Sequence, residues 1–314
     1  MIGRTTRLAL IAAAGLLLSS CGAGNDGNKA STPEQDANFM ADETLWQMQR
    51  RESLTRPDGW TSLIGLHWIE LKAHYIGSAP ENGIRLAIGP PKLGLLQQDD
   101  GHITLTPEPG VELTLNGEPV KGRVELSDDQ GETPSVIGYD EGKGAITLIT
   151  RGGRHALRVK HADAESRTGF AGLDYWKPDA AWKVEGRFVP NQKGKTIPVV
   201  DIIGTTNQIP NPGAVEFDRA GTTYRIEAMD EGEGSLFLVF ADRTNGHGSY
   251  GAGRFLDAPM PDKAGKVVLD FNRAYNPPCA FTPFATCPLP PPENRLDLAI
   301  EAGEKQYAKP AHSP

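Results

Sequence analysis

The chain has 314 residues, 38% of them hydrophobic, a formal net charge of −8 and three cysteines. That length allows two domains with cores of their own, whereas the acidic balance speaks against a nucleic-acid partner and against broad attraction to anionic lipid, so any membrane attachment has to be covalent or inserted. Thirty-six glycines and 25 prolines point to a strand-and-turn protein and not a helical bundle.

At the N-terminus, Arg4 and Arg7 precede an apolar run from Leu8 to Leu18, the charged and hydrophobic parts of an export signal. Eleven residues are too few for a bilayer, which takes about 20 in a helix. The run ends in Leu18, Ser19, Ser20 and Cys21, which resembles the lipobox of bacterial lipoproteins. That resemblance implies a signal peptide over 1–20 and an acylated Cys21 that fastens the mature chain to a lipid bilayer. A plain cleaved signal with an incidental cysteine is the alternative. Gly22, in place of an aspartate, resembles the pattern of lipoproteins sent on to an outer membrane, which implies a periplasm-facing position in a Gram-negative host.

Residues 21–40 read as a tether, glycine- and asparagine-rich at first, and 41–165 as a helix followed by a β-sandwich. Thr32, Pro33 and Gln35 form a helix-start signal. Phe39, Leu45, Trp46 and Met48 make an imperfect apolar stripe, and Pro57 stops the helix by Arg56. In "GWTSLIGLHWIEL", Trp60, Ile64, Leu66 and Trp68 recur at strand spacing on one side, with His67 opposite as a packing residue. The short strands that follow, separated by Gly, Pro, Asp and Asn turns, suggest a sandwich. It is similar to the forkhead-associated domain in the glycine after an aromatic strand and in the late turn at Asn116 and Gly117. The phosphate-reading arginine that this resemblance implies is replaced by Ser78, so only the scaffold carries over. "AITLITRGGRHALRVKH" predicts a hairpin turning at Gly152 and Gly153. Leu157 and Val159 face its core; Arg154, Arg158 and Lys160 share the other face, either as a solvated surface or as an anion site.

Residues 166–307 read as a second antiparallel β-domain, with a tail over 308–314. Strands are expected at Trp182–Val189, Thr196–Ile203, Ala214–Phe217, Thr222–Ala228, Ser235–Ala241 and Lys266–Phe271. "GHGSYG" at Gly246–Gly251 matches a dinucleotide fingerprint in letters, yet "AGRFLDAPMP" behind it cannot open the helix that pyrophosphate binding needs. The same requirement disfavours Ser249 as an elbow nucleophile. The histidines show no ligand-spaced pair and two cysteines cannot close a zinc site, so neither a metal nor a cofactor is expected.

The last motif, "DFNRAYNPPCAFTPFATCPLPPPENRL" from Asp270 to Leu296, holds seven prolines and two of the three cysteines. Together with "GWTSLIGLHWIEL", "YGAGRFLD" at Tyr250–Asp257 and "AIEAGEK" at Ala299–Lys305, it resembles the family called domain of unknown function 1684 over roughly residues 45–307. The resemblance implies one mainly β unit and brings no activity with it. Outside the cytoplasm Cys279 and Cys287 are expected to form a disulfide, and the prolines an extended polyproline course across the surface. A stiff loop of this kind loses little entropy on binding. The candidate ligand pocket is therefore Asp242, Tyr250, Arg254, Asp270, Asn272, Tyr275 and Asn276. The plainer alternative is a clasp in which Arg254 pairs with Asp270. The functional expectation is a binding module of the cell envelope for a small polar molecule, a glycan or a partner protein. The alternatives are a hydrolase using Asp270 or Asp242 and a purely structural envelope component.

Overall fold

The computed structural model describes residues 32–308 with the exception of residue 233. The export signal, Cys21 and the end of the tail lie outside the described residues. The fold is mainly β, with one long N-terminal helix and several antiparallel sheets.

The helix, Pro33–Thr55, starts where its capping box predicts. Thr32 Oγ1 accepts from the Gln35 amide while Gln35 Oε1 accepts from that of Thr32. It therefore takes in the last residues assigned to the tether. Its expected apolar stripe does not hold: Leu45 and Met48 are exposed. The face turned inward is Glu43, Trp46, Arg50 and Leu54, at helical spacing, and two of these four carry charge. Arg50 Nε meets Glu304 Oε1 at 2.8 Å and Glu43 Oε1 meets Arg273 Nε at 2.9 Å, so the helix docks on the C-terminal segment and not on the sandwich that precedes that segment in the chain. Ion pairing carried out a task that apolar patterning cannot report.

The first β unit is a sandwich of two sheets. One has six strands, in the order Leu63–Trp68, Arg154–His161, Gly144–Arg151, Val136–Tyr139, Thr114–Leu115 and Glu118–Pro119; the other has five, between Ala73 and Leu126. Both supply an apolar core that includes Leu96, Leu105, Ile146, Leu157 and Val159. The hairpin turns where expected, with Arg151 opposite Arg154 and both glycines at positive φ, as such two-residue turns require. Leu63–Trp68 is covered on both faces: Leu63 joins a cluster shared with the second unit, Ile64 packs against the sandwich core, Leu66 and Trp68 are half-buried, and a register shift lies between Leu63 and Gly65.

The second unit is built on a four-stranded sheet ordered Thr222–Ala228, Gly213–Arg219, Lys183–Pro190 and Lys266–Asp270. Two hairpins join it: Thr196–Val200 with Thr206–Pro210, and Ser235–Phe240 with Arg254–Pro259. The run "LFLVF" is apolar at every position because its strand is covered on both sides. Leu236, Leu238 and Phe240 enter the core of the second unit. Phe237 and Val239 enter a separate cluster with Leu63 of the first unit and Cys287 of the proline-rich segment.

That segment does not cross the surface as a free polyproline course. It is stitched to strand edges by the residues between its prolines: Leu289 N donates to Val200 O at 2.8 Å, and Ile202 N to Cys287 O at 2.9 Å. Asn294 is fully buried, donating to the carbonyls of Glu227 and Val239 and accepting from the Glu227 amide. Cys279 and Cys287 are joined in a disulfide. Proline fits an edge strand because the missing amide can face away from the ladder.

Candidate functional site

Between the two β units lies a cleft of about 980 Å³. The first unit contributes Trp60, from the turn after the helix, and Arg151 and Arg158 from the two strands of the Gly152–Gly153 hairpin. Asp201 and Ile209 of the second unit form another side, and Met229, Phe237 and Phe255 give it an apolar lining. Pro278 and Ala285–Pro288 of the disulfide-closed segment complete the wall. The stiffest part of the chain thus borders its largest described cavity. Cavities of this size between folded units suit small ligands.

The charges on the cleft walls are unevenly settled. Arg151 is neutralised by Asp129, which sits 2.7 Å away and also accepts from the Thr150 amide. Arg158, from the same sheet, makes no ion pair among the described residues. Its Nη2 has one long contact, 3.5 Å to Thr286 Oγ1, and its Nε is buried without a hydrogen-bond partner. The guanidinium carbon lies 5.5 Å from the centroid of the Trp60 ring. Burial, followed by repulsion from Arg151, draws the Arg158 pKa below its ordinary value, against a smaller opposing pull from Asp129. On the second unit, Asp201 is buried with Oδ1 accepting from the amides of Ile203 and Thr205, and Oδ2 is left without a partner.

The seven residues named from the sequence do not line this cleft or either of the two smaller cavities described. The structure gives them internal partners instead. Arg254 is fully buried and pairs with Asp242 at 2.7 Å, not with Asp270, and it also donates to the carbonyls of Ile300 and Ala302. Asp242 Oδ1 accepts from the Thr244 amide at 2.7 Å. Asp270 caps the short turn after its strand through Asn272 N and lies 3.7 Å from Lys183 and 3.9 Å from Arg273. Asn272 exchanges hydrogen bonds with the backbone of Asp179. Asn276 donates from its amide to Glu304 and from its side chain to Lys305 O. Tyr275 donates to Asp257 under the Arg50 guanidinium, and Tyr250 packs against the cluster of Leu54 and Phe281. These groups share one region but are taken up internally: six of them meet a backbone or charged group there, and Tyr250 packs against apolar side chains.

Other motifs are likewise absorbed. Ser249 is fully buried between Thr244 and Asn245, and no helix follows the glycine-rich stretch. Among the described residues, the side chains that bring metal-ligand atoms together are Asp140, His161 and Asp163, within 4.8 Å of one another. His161 Nδ1 accepts from the Asp163 amide, which leaves Nε2 to donate to Asp140, so both ring nitrogens are engaged. The cleft residues were harder to find from sequence. Arg158 stood on the correct strand face, but nothing in the order of residues showed that Thr286 and Trp60 would enclose it.

The geometry defines a two-unit β protein with a ligand-sized cleft at the seam. Residues 168–305 match the family described as "Protein of unknown function (DUF1684)", and the chain belongs to that family through this stretch. The match begins after the sandwich, so the helix and the first unit, which the sequence resemblance included, lie outside it. Among solved structures, an uncharacterised protein of Haloarcula marismortui, determined in solution by NMR, is 30% identical over 44% of this chain and 78% of its own, with a TM-score of 0.37. The N-terminal forkhead-associated domain of EssC, a component of the bacterial type VII secretion apparatus, is 15% identical over 31% of this chain and 46% of its own, with a TM-score of 0.25. No protein of curated function matches significantly.

Proposed function

We propose that the chain is an exported, lipid-anchored protein of the cell envelope that binds a small ligand in the cleft between its two β units. The observation that carries the binding reading is the placement of the disulfide-closed segment, Pro278 to Pro288, against the largest described cavity. A wall already rigid before binding leaves little ordering entropy to lose. Export is supported by Arg4, Arg7, the apolar run to Leu18 and the Leu18–Cys21 sequence, and by a disulfide of the kind oxidising compartments sustain. In a Gram-negative host the anchored protein faces the periplasm from the outer membrane. Hydrolysis at Asp270 or Asp242 finds no support in the geometry, since both carboxylates are engaged internally.

Ligand-observed NMR of the purified chain against a library of small polar compounds tests the binding reading. Binders are expected, and filling the cleft by Thr286→Trp is expected to abolish their signals without lowering the melting temperature. A library without binders, or binders indifferent to Thr286→Trp, would overturn it. For the anchor, globomycin is expected to block processing, and normal maturation of Cys21→Ala would reject acylation there.

A further inference from the structure

Resting on the cleft reading, we propose that the ligand is a hydroxylated organic anion, a sugar acid or sugar phosphate, whose carboxylate or phosphate docks on Arg158. The first-unit wall offers two guanidinium groups and only one nearby carboxylate: Asp129 is committed to Arg151 at 2.7 Å, which leaves Arg158 without an ion pair. Among the described residues, Asp129 is the carboxylate whose pull on Arg158 is resolved. A guanidinium taken out of water without a counter-charge is unfavourable in the empty protein, and an oxyanion with two acceptor oxygens is the group that matches its planar fork.

The opposite wall asks for different chemistry. Asp201, at the end of the Thr196–Val200 strand, and Asp230, after Thr222–Ala228, present carboxylates on the second unit. Asp201 is buried, with one oxygen on two backbone amides and the other shielded from solvent, so the exposed Asp230 is the carboxylate that meets a ligand. Carboxylates accept hydrogen bonds and repel a second anion, so that end of the ligand has to carry donors such as hydroxyl groups. Between the two ends, Trp60 and Phe237 supply apolar surface for the C–H face of a ring. One molecule with an anionic group at one end and hydroxyls along a ring satisfies both walls.

Calorimetric titration of the full-length chain with glucuronate, glucose 6-phosphate and neutral glucose tests the assignment. At least one of the two anions is expected to bind with an affinity that falls as salt is added, and glucose to bind at least tenfold more weakly. Arg158→Gln is expected to weaken the anion about tenfold to a hundredfold, the range for a lost charge-assisted bond. Arg158→Lys, which keeps the charge and loses the fork, should fall between the two, and Thr286→Trp should remove binding altogether. Should Arg158→Gln fail to melt cooperatively, Arg158→Lys and the salt dependence in the wild-type chain decide. Glucose binding as tightly as the anions, or anion binding untouched by Arg158→Gln, would overturn the anion assignment and leave the cleft standing. If neither anion binds, the assignment is also overturned, and the library screen alone then decides the fate of the cleft.

Discussion

Arg254 and Arg158 are both drawn out of water, yet Arg254 lies fully buried against Asp242 and two backbone carbonyls, whereas Arg158 rests on Trp60 beside an open cleft with no carboxylate of its own. In the first, although Arg254 Nε is left without a partner, the two charges meet each other, and the group holds the strand Arg254–Pro259 to the C-terminal segment at Ile300 and Ala302. The second is left incomplete at a place a solute can reach. A buried charge matched internally serves architecture, and the one left unmatched at a cavity is where the proposal places a ligand. Proximity in the sequence had pointed to the first arginine; the cavity points to the second.

Breaking the closed arrangement has the largest expected effect. Asp242→Ala strands the Arg254 guanidinium in the core and should lower unfolding free energy by about 3–5 kcal/mol, read from urea denaturation; a loss below about 1 kcal/mol would mean the pair holds little. Next comes the rigid wall. Replacing Cys279 and Cys287 together by serine should cost about 2–3 kcal/mol for so short a loop, and weaken any ligand the cleft holds. Arg158→Gln, by contrast, deletes no ion pair among the described residues, so stability should stay within about 1 kcal/mol of the wild-type chain. A loss as large as that from Asp242→Ala would erase the distinction between the two arginines.

The smallest effect belongs to Glu43. Burial, then repulsion from Asp270, raises its carboxyl above the ordinary value of 4.5, against the pull of Arg273 and Lys183. Because the folded state holds this proton more tightly than the unfolded chain, the stability it contributes is fully present below about 4.5 and is lost as pH rises through the raised folded value. Glu43→Gln should therefore flatten the decline of melting temperature between mildly acidic and neutral pH. An unchanged pH profile would remove Glu43 from the account of how the helix docks.

Local chemistry made several elements legible in advance. The capping box at Thr32 and Gln35, the stop before Pro57, the turn at Gly152–Gly153 and the strand Thr222–Ala228 depend on neighbouring residues alone, and all are found where expected. Thr206–Pro210 and Arg254–Pro259 escaped notice because prolines and glycines obscure their alternation, although each pairs along its whole length. The helix face was misread because its contacts are ionic and lie more than 200 residues away.

The sequence by itself determined the β-rich composition and the caps and turns, since these follow from backbone preference and side-chain alternation. Only the tertiary structure decided which polar residues would face one another and which would face a space. Asp242, Arg254 and Asn276 found partners inside, while Arg158, Trp60 and Thr286, far apart in the chain, met at the seam between units. Pairing of charges is settled by distances through space, and those exist only once the units have packed.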